Sequence, residues 1–245
     1  MFAAIWTAIS ATLLLAGAAS AAGCAAVTFE DVPFTVCAAR PEDDIRLFLR
    51  DDAGEILGTF DRVEMQAQTD GRAIVFAMNG GMYHPDRRPV GLYIEDGVES
   101  APLVTREGPG NFGLLPNGVF CLTDTAARII ESRRFADLNP DCTYASQSGP
   151  MLVIDGALHP RFLPDSDSRF IRNGVGVSID GTVFAVISDK PVNFHRFARF
   201  FRDALKTPNA LFLDGKVSRL FVPEIGRRDI GFPFGPILAV TRPAD

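Results

Sequence analysis

Short apolar segments separated by tight turns recur along this chain, and four of them end in the dipeptide Asp-Gly. Aspartate and glycine both tolerate positive φ angles, so an Asp-Gly pair between two apolar runs is a strong signal for a β-hairpin. The four dipeptides are Asp96-Gly97, Asp155-Gly156, Asp180-Gly181 and Asp214-Gly215. This recurrence predicts a protein built mainly from antiparallel strands, in which such aspartates first of all form turns.

The remaining apolar runs add further strands and one clear helix. Strands are predicted at residues 45–49, 73–78, 119–123 and 236–241. In residues 193–205, apolar side chains recur at helical spacings of three and four, with charged residues on the opposite face. The apolar stripe consists of Phe194, Phe197, Phe201 and Leu205. The pattern indicates an α+β fold, with a mixed, mostly antiparallel sheet system, many Asp-Gly hairpins and few helices.

The N-terminal segment has the character of an export signal. Residues 1–22 carry no charged side chain and include a short apolar run. Small residues at Ala19 and Ala21 fit the positions that signal peptidase reads. We therefore predict a signal peptide over residues 1–22 and a single domain over residues 23–245. A transmembrane anchor, which needs about 20 apolar residues, is the alternative interpretation.

Four cysteines fit an oxidising compartment. Cys24 lies close to Cys37 in sequence, and Cys121 lies close to Cys142, which favours these two disulfides among the three possible pairings. Lipidation of Cys24 is the less favoured alternative, because it would take away the nearest partner of Cys37. No CxxC motif or Cys/His cluster indicates a zinc site, and no metal ligand is predicted.

The charge balance narrows the class of partner. The formal net charge is −6, and the leader contributes none of it. An acidic chain is not expected to bind nucleic acid or anionic membrane surfaces as its main partner. With a cleaved leader, we expect a periplasmic or secreted protein without stable membrane insertion.

Four segments combine a strand with polar groups beside it. In the first, the strand at residues 73–78 runs into Asn79-Gly80-Gly81, where glycines let the backbone approach a ligand and expose N–H groups to an anion. A plain tight turn is the alternative interpretation. The other segments carry Ser148, Arg172 and Asp214. The spacing around Ser148 is not that of a GxSxG elbow, which argues against an acyl-transfer nucleophile.

Taken in order, these segments resemble the phosphodiester glycosidase family over roughly residues 73–240. The matching motifs are an Asn-Gly-Gly turn followed by an aromatic residue at 79–83, a Ser-Gly-Pro strand ending in Asp-Gly at 148–156, an arginine followed by a glycine and a hairpin at 172–181, and a Leu-Asp-Gly turn with a later serine at 213–218. Four motifs in the right order are more specific than any one of them. Residues 84–93 and 109–113 are typical of the exported bacterial subgroup of this family.

The resemblance implies hydrolysis of a sugar-1-phosphate diester at the anomeric carbon, in an envelope or extracellular glycan. Such a reaction needs a carboxylate as base or nucleophile and groups that bind the phosphate, whereas the phosphate monoester already leaves well. We expect one site to hold Asp214 and Asp189 as carboxylates, Arg172 with Lys216 or Lys190 for the phosphate, and Asn79, Gly80, Ser148 and His84 as further substrate contacts. No cofactor is expected; several aspartates around one cleft are an alternative hypothesis for Ca²⁺.

One departure from the family pattern favours a second function. The late turn in the family is usually Asp-Gly-Gly-Gly-Ser, whereas Lys216 and Val217 replace two of these glycines. The alternative is a non-catalytic, envelope glycan-binding protein of the same fold, which binds a phosphate-linked glycan without cleaving it. Both functions predict that the candidate residues meet in one concave site.

Overall fold

The computed structural model describes residues 22–244, so residues 1–21 of the predicted leader lie outside the described range. Within this range the chain forms seventeen strands. They are β1 (Gly23–Phe29), β2 (Val32–Ala39), β3 (Asp44–Phe48), β4 (Arg72–Asn79), β5 (Tyr93–Glu95), β6 (Val98–Ala101), β7 (Gly118–Leu122), β8 (Ala127–Glu131), β9 (Tyr144–Ser148), β10 (Met151–Ile154), β11 (Ala157–Leu158), β12 (Asn173–Val177), β13 (Val183–Ser188), β14 (Asn209–Asp214), β15 (Leu220–Val222), β16 (Arg227–Arg228) and β17 (Ile237–Pro243).

These strands form three sheets within the described residues. The seven-stranded sheet has the order β1-β2-β13-β12-β14-β10-β11, the β4 sheet has the order β16-β15-β4-β17-β3, and the β9 sheet has the order β6-β5-β9-β7-β8. The pairings within them are antiparallel. The expected α+β class with mostly antiparallel sheets is confirmed.

A central hydrophobic core joins the three sheets. Val175 and Leu211 of the seven-stranded sheet, Phe76 and Leu238 of the β4 sheet, and Phe120 of the β9 sheet belong to one buried cluster. Burial of each such side chain contributes roughly 1.5–3 kcal/mol. The sheets are therefore held against one another by apolar contacts, and polar groups concentrate where strands end.

Three α-helices complete the described fold: α1 (Phe60–Thr69), α2 (Ser132–Leu138) and α3 (Phe194–Arg199). Asn193 begins α3, because its side chain accepts a hydrogen bond from the backbone N–H of Arg196. The helix expected over residues 193–205 is confirmed, but its second half, Phe200–Ala204, is a π-helical turn. Phe197, Phe200 and Phe201 are fully buried in a second cluster with residues of the seven-stranded sheet.

The four Asp-Gly dipeptides do not all form hairpins. Asp96-Gly97 and Asp155-Gly156 have positive φ at both residues and join β5 to β6 and β10 to β11. Asp180-Gly181 joins β12 to β13 with positive φ at the glycine. The hairpin expected at Asp214-Gly215 is wrong, because β14 and β15 on its two sides belong to different sheets. The chain crosses there from the seven-stranded sheet to the β4 sheet.

Both expected disulfides are present. Cys24 and Cys37 face each other across β1 and β2, and Cys121 of β7 is bonded to Cys142, just before β9. The Cys24 sulfur is occupied by this bond, which leaves no thiol there for a lipid. Two disulfides fit an oxidising compartment. Within residues 22–244, no helix has the length and apolar character needed to cross a bilayer.

Candidate functional site

A cavity of about 630 Å³ opens beside the crossing that follows β14. The end of β14 and its turn form one wall, the segment before β12 a second, and two loops the remainder. The polar and aromatic side chains that line it are Tyr83, Asn111, Phe112, Ser168, Phe170, Arg172, Phe212, Asp214 and Lys216. We call this space the Arg172 cavity.

Arg172 is a buried cation without an anionic partner. Its side chain is 1% exposed. Nε donates to the carbonyl of Val192 (2.9 Å), Nη2 donates to the carbonyl of Ser168 (3.0 Å), and the ring of Phe194 lies 3.7 Å from the guanidinium carbon. Among residues 22–244, no carboxylate forms an ion pair with it. Burial lowers the pKa of Arg172 to about 10, so it stays charged at neutral pH.

This arrangement leaves Nη1 of Arg172 for a ligand. Nη1 lies beside Gly215, where a Cβ atom would come within 3.3 Å of it. A buried charge costs free energy unless an opposite charge accompanies it. The Arg172 cavity therefore has the electrostatic character of an anion site.

Asp214 lies at the end of β14 and is fixed by its own turn. Its Oδ1 accepts hydrogen bonds from the backbone N–H groups of Lys216 (2.5 Å) and Val217 (3.0 Å). Within the described part of the chain, Oδ2 makes no hydrogen bond or ion pair. The carboxylate is thus oriented by one oxygen while the other is available in the cavity.

Asn79 does not line the cavity and belongs to a buried hydrogen-bond network. Asn173, which pairs with Asp214 in the sheet, accepts a hydrogen bond from Asn79 Nδ2 (3.2 Å) and donates to the Asn79 carbonyl (2.9 Å). The backbone N–H of Arg219 donates to Asn79 Oδ1 (3.0 Å). Ser218 Oγ lies 2.9 Å from the carbonyl oxygen of Asp214. Asn79 is fully buried, and its polar atoms are occupied by protein groups, so it joins β4 to β12 and to Arg219 after the crossing.

The two glycines after Asn79 are needed for close packing. A Cβ atom on Gly80 would lie 2.7 Å from the backbone nitrogen of Leu238, and one on Gly81 would lie 2.5 Å from Ser146 Oγ. The N–H of Gly80 donates to the Pro236 carbonyl (2.7 Å), and Ser146 donates to the Gly80 carbonyl (2.8 Å). Gly80 therefore ties β4 to its neighbours, and its N–H is already used.

Two further expected contacts lie away from the lining of the cavity. Ser148 is fully buried, and its hydroxyl donates to the carbonyl of Leu213 (3.3 Å). His84 is exposed in a turn that its backbone closes with Arg87 and Arg88. Lys216, in contrast, is exposed and lines the cavity beside Asp214.

Asp189 lies in a second cavity, of about 510 Å³, which we call the Arg227 cavity. Its Oδ1 accepts from Nη1 of Arg227 (2.7 Å), and its Oδ2 accepts from the hydroxyl of Thr35 (2.9 Å). Its neighbour Lys190 is exposed. The residues expected in one place are therefore divided: Arg172, Asp214 and Lys216 share a cavity, and Asp189 lines another.

The structure adds residues that sequence reasoning did not select. Tyr83 and Phe170 both line the Arg172 cavity; Tyr83 ends the Asn-Gly-Gly motif at 79–83, and Phe170 lies two residues before Arg172. Burial, and then the Asp214 carboxylate, raise the pKa of Tyr83. Its hydroxyl therefore stays protonated at neutral pH and is able to donate a hydrogen bond near Asp214. The signal in the sequence that could have identified them is an aromatic residue close to a glycine turn or to a candidate arginine.

In the described part of the chain, side chains that commonly bind metal ions are not gathered into a ligand set. Within residues 22–244, no group of three or more histidine, cysteine, aspartate or glutamate side chains is placed to hold a metal ion. Of the residues that line the Arg172 cavity, only Asp214 carries a carboxylate. Because Ca²⁺ also binds backbone and amide oxygens, the alternative of a Ca²⁺ site stays a prediction.

Comparison with known proteins identifies relatives of both sequence and fold. A sequence model of the phosphodiester glycosidase family matches residues 72–234. The Escherichia coli (strain K12) protein YigE, whose name describes it as uncharacterized, is 32% identical over 237 residues, which make up 96% of this chain and 91% of that protein. Residues 72–234, which the family model matches, contain the whole lining of the Arg172 cavity.

Two solved structures share the fold. The zebrafish N-acetylglucosamine-1-phosphodiester alpha-N-acetylglucosaminidase catalytic domain, auto-inhibited by its pro-peptide, matches with a TM-score of 0.62 and 15% identity, covering 89% of this chain and 81% of that one. A protein from Synechocystis described as hypothetical matches with a TM-score of 0.59 and 14% identity, covering 89% of this chain and 61% of that one. At such identities these matches show the fold alone.

Proposed function

This chain belongs to the phosphodiester glycosidase family, and on that premise we propose that it is an exported hydrolase of sugar-1-phosphate diesters. The bond cleaved is the glycosidic C–O bond, and the substrate class is a phosphate-linked glycan of the envelope or the extracellular space. The observation that supports this most is that two groups line one cavity: the Arg172 guanidinium, which has no carboxylate partner among the described residues, and the Asp214 carboxylate, which has one free oxygen.

The charges of the cavity fit this substrate class. Arg172 and Lys216 supply two positive charges and Asp214 one negative charge, so the lining side chains have a surplus of one positive charge. A phosphate diester carries one negative charge and would balance it. Arg172 Nη1, with Lys216 more loosely, would bind the phosphate oxygens; guanidinium groups are well suited to this contact.

The number of carboxylates also fits the leaving group. Most glycosidases use two carboxyl groups, one of which protonates the departing oxygen. The Arg172 cavity has only one among its lining residues. A phosphate monoester leaves as an anion and needs no such proton. One carboxylate with neighbouring cations is therefore sufficient for this reaction, whereas it would be insufficient for an ordinary sugar–sugar bond.

The proposed reaction follows from these positions. The C1–O bond to phosphate breaks, and its electron pair stays on the phosphate oxygen, where Arg172 stabilises the added charge. The free oxygen of Asp214 stabilises the positive charge that develops at C1 and accepts a proton from the attacking water. The water oxygen becomes the new C1 hydroxyl. The Tyr83 hydroxyl is placed near Asp214 to donate a hydrogen bond to the sugar or to the carboxylate.

A glycan-binding protein without turnover is the second candidate. Its supporting observation is that Lys216 and Val217 both line the Arg172 cavity, at positions where the family usually has glycine. Their side chains take up space in the cavity near Asp214. Such a protein would still need the Arg172 anion site to hold its ligand.

Hydrolysis in ¹⁸O-labelled water tests the proposal directly. The purified protein is incubated with a panel of sugar-1-phosphodiesters, beginning with an N-acetylglucosamine-1-phosphodiester, and both products are analysed by mass spectrometry. We expect ¹⁸O in the released sugar and none in the phosphate monoester. Label in the phosphate would mean P–O cleavage and would refute the mechanism. No turnover across the panel, with saturable binding that Arg172→Ala abolishes, would establish the glycan-binding function instead.

The proposed export rests on two observations. The sequence begins with an uncharged, apolar segment of signal-peptide character, and two disulfides stabilise the described chain. Production of the full-length chain in a Gram-negative host, followed by fractionation and intact-mass analysis, would test this. We expect a periplasmic or secreted protein that has lost its leader and contains no free thiol.

A further inference from the structure

We propose that Phe170 is the surface on which the sugar ring of the substrate stacks, next to the phosphate bound at Arg172. The identity of the ligand rests on the proposed function. The position of the ring rests on the geometry of the Arg172 cavity alone. Phe170 would thereby determine specificity for the sugar and not take part in bond cleavage.

The exposure of Phe170 is the first observation. Its side chain is 45% exposed and lines the Arg172 cavity. A single exposed apolar side chain on an outer surface needs no explanation, and Phe232, 84% exposed and absent from the lining of this cavity, is of that kind. An aromatic ring that faces a cavity containing a cation and a carboxylate is different, because ligand sites combine apolar walls with a few directed polar groups.

The backbone pairing of Phe170 with Val192 is the second observation. Its N–H donates to the carbonyl of Val192 (3.1 Å), and the N–H of Val192 donates back to the carbonyl of Phe170 (2.9 Å). The same Val192 carbonyl accepts from Nε of Arg172 (2.9 Å). One buried residue therefore positions both groups, and the Phe170 ring centroid lies 5.4 Å from the guanidinium carbon of Arg172.

The chemistry of a sugar-1-phosphate matches this spacing. Its phosphorus is two bonds from C1, so a phosphate held at Arg172 brings the pyranose ring close to Phe170. A pyranose has C–H groups on its faces, which favour an aromatic ring, and hydroxyl groups around its edge. Asn111 and Ser168 line the same cavity and are available to the hydroxyl groups.

Tryptophan fluorescence offers a test that does not need turnover. The single tryptophan of the chain is Trp6, inside the predicted leader, so a chain of residues 23–245 has none. Phe170→Trp would therefore introduce one fluorophore at the proposed surface, with Phe232→Trp as its matched control. We expect titration with a sugar-1-phosphate to change the emission of the first variant and leave that of the second unchanged. Unchanged emission of the Phe170 variant at a ligand concentration that calorimetry shows to be saturating would overturn the proposal.

Removal of the ring gives the quantitative test. Phe170→Ala should weaken sugar-1-phosphate binding and raise KM by roughly tenfold, while kcat and the affinity for inorganic phosphate stay near wild type. Phe170→Tyr should restore KM, and Phe232→Ala should change nothing. Wild-type KM in Phe170→Ala would refute the role. The role would also be refuted if Phe170→Ala weakened only the binding of the phosphate monoester that is released as the leaving group, because that part of the substrate would then contact Phe170. Binding that depends on Phe170 without any hydrolysis would refute only the proposed function.

Discussion

The two cavities beside the crossing each contain arginine and aspartate, but these side chains form ion pairs in only one of them. In the Arg227 cavity, Arg227 binds Asp189 at 2.7 Å and Asp229 at 3.1 Å. In the Arg172 cavity, the Arg172 guanidinium contacts carbonyl oxygens and aromatic rings, and within the described residues one oxygen of Asp214 has no partner. The charges of Arg227, Asp189 and Asp229 are thus paired within the protein, whereas Arg172 has no carboxylate partner among the described residues and Asp214 has a free oxygen.

This difference separates a structural ion pair from a site. Breaking a satisfied pair changes stability, while removing an unpartnered charge changes what the protein is able to bind. In sequence the two aspartates look alike, since Asp189 and Asp214 each follow an apolar strand and lie close to a lysine. Only the fold determines which of the two aspartates forms an ion pair with an arginine.

The largest expected effect is the loss of turnover in Asp214→Asn. Asparagine keeps the oxygen that accepts from the backbone of Lys216 and Val217, so the turn and the melting temperature should be preserved. The negative charge beside the anomeric carbon is lost, and kcat should fall by roughly 10³-fold. Steady-state kinetics with circular-dichroism melting would check both. Retained activity would mean that Asp214 only forms the turn.

Arg172 should show the next largest effect, mainly on binding. Arg172→Ala removes the buried cation, and we expect kcat/KM to fall by roughly 10²-fold or more. Arg172→Lys keeps a charge but loses the planar group that binds Val192 and Ser168, so its activity should be intermediate. Calorimetry with inorganic phosphate separates this from catalysis, because affinity should follow the same order. Equal affinity in all three proteins would remove Arg172 from the anion site.

The elements of the fold that the sequence predicts correctly are those with a local signal. Short apolar runs separated by tight turns predicted the sheets, the phenylalanine stripe predicted the helix near residue 197, and short separations predicted both disulfides, because all three are local signals. Helix α1 has only three buried residues in its stripe, and α2 has only seven residues, so neither gave a clear periodicity. The path of the chain after Asp214 depends on which sheet receives β15, which is not a local property.

The site could be predicted in part for the same reason. The motif around residue 172 and the turn after residue 213 do meet, because β12 and β14 are neighbours in the sheet. Asp189 follows β13, on the other side of β12, where Arg227 of β16 reaches it from another sheet. Asn79 and Ser148 have residue types of a ligand site, yet burial turns them into supports.

A third carboxylate, Glu95, sharpens the comparison, since it is half-buried against the Tyr93 hydroxyl and forms no ion pair within residues 22–244. Burial raises its pKa from a usual value of 4.5 to about 7, although a hydrogen bond from the Tyr93 hydroxyl acts in the opposite direction. A raised pKa stabilises the fold below about pH 4.5, and this contribution is lost as the pH rises through 7.

Glu95→Gln should therefore abolish this part of the pH dependence. We expect the variant to match wild type near pH 4.5 and to exceed its free energy of unfolding by about 2–3 kcal/mol at pH 8, where the lower bound allows for solvent screening of the half-buried carboxylate. Urea denaturation at the two pH values is the measurement. Equal stability at pH 8, or a gain confined to acid pH, would contradict the assignment. Turnover should be unaffected, because Glu95 is not part of the Arg172 cavity.

The smallest effect is expected for Asp189→Asn, which tests the other half of the comparison. The carboxylate is 27% exposed and Arg227 is 22% exposed, so water screens part of their attraction. Arg227 also keeps Asp229, which limits the cost to about 1 kcal/mol and the fall in melting temperature to about 2–4 °C. Activity should equal that of wild type. If instead turnover collapses while the melting temperature holds, the Arg227 cavity carries chemistry despite its paired charges. Pairing would then no longer distinguish the two cavities, and the catalytic carboxylate would have to be sought at Asp189.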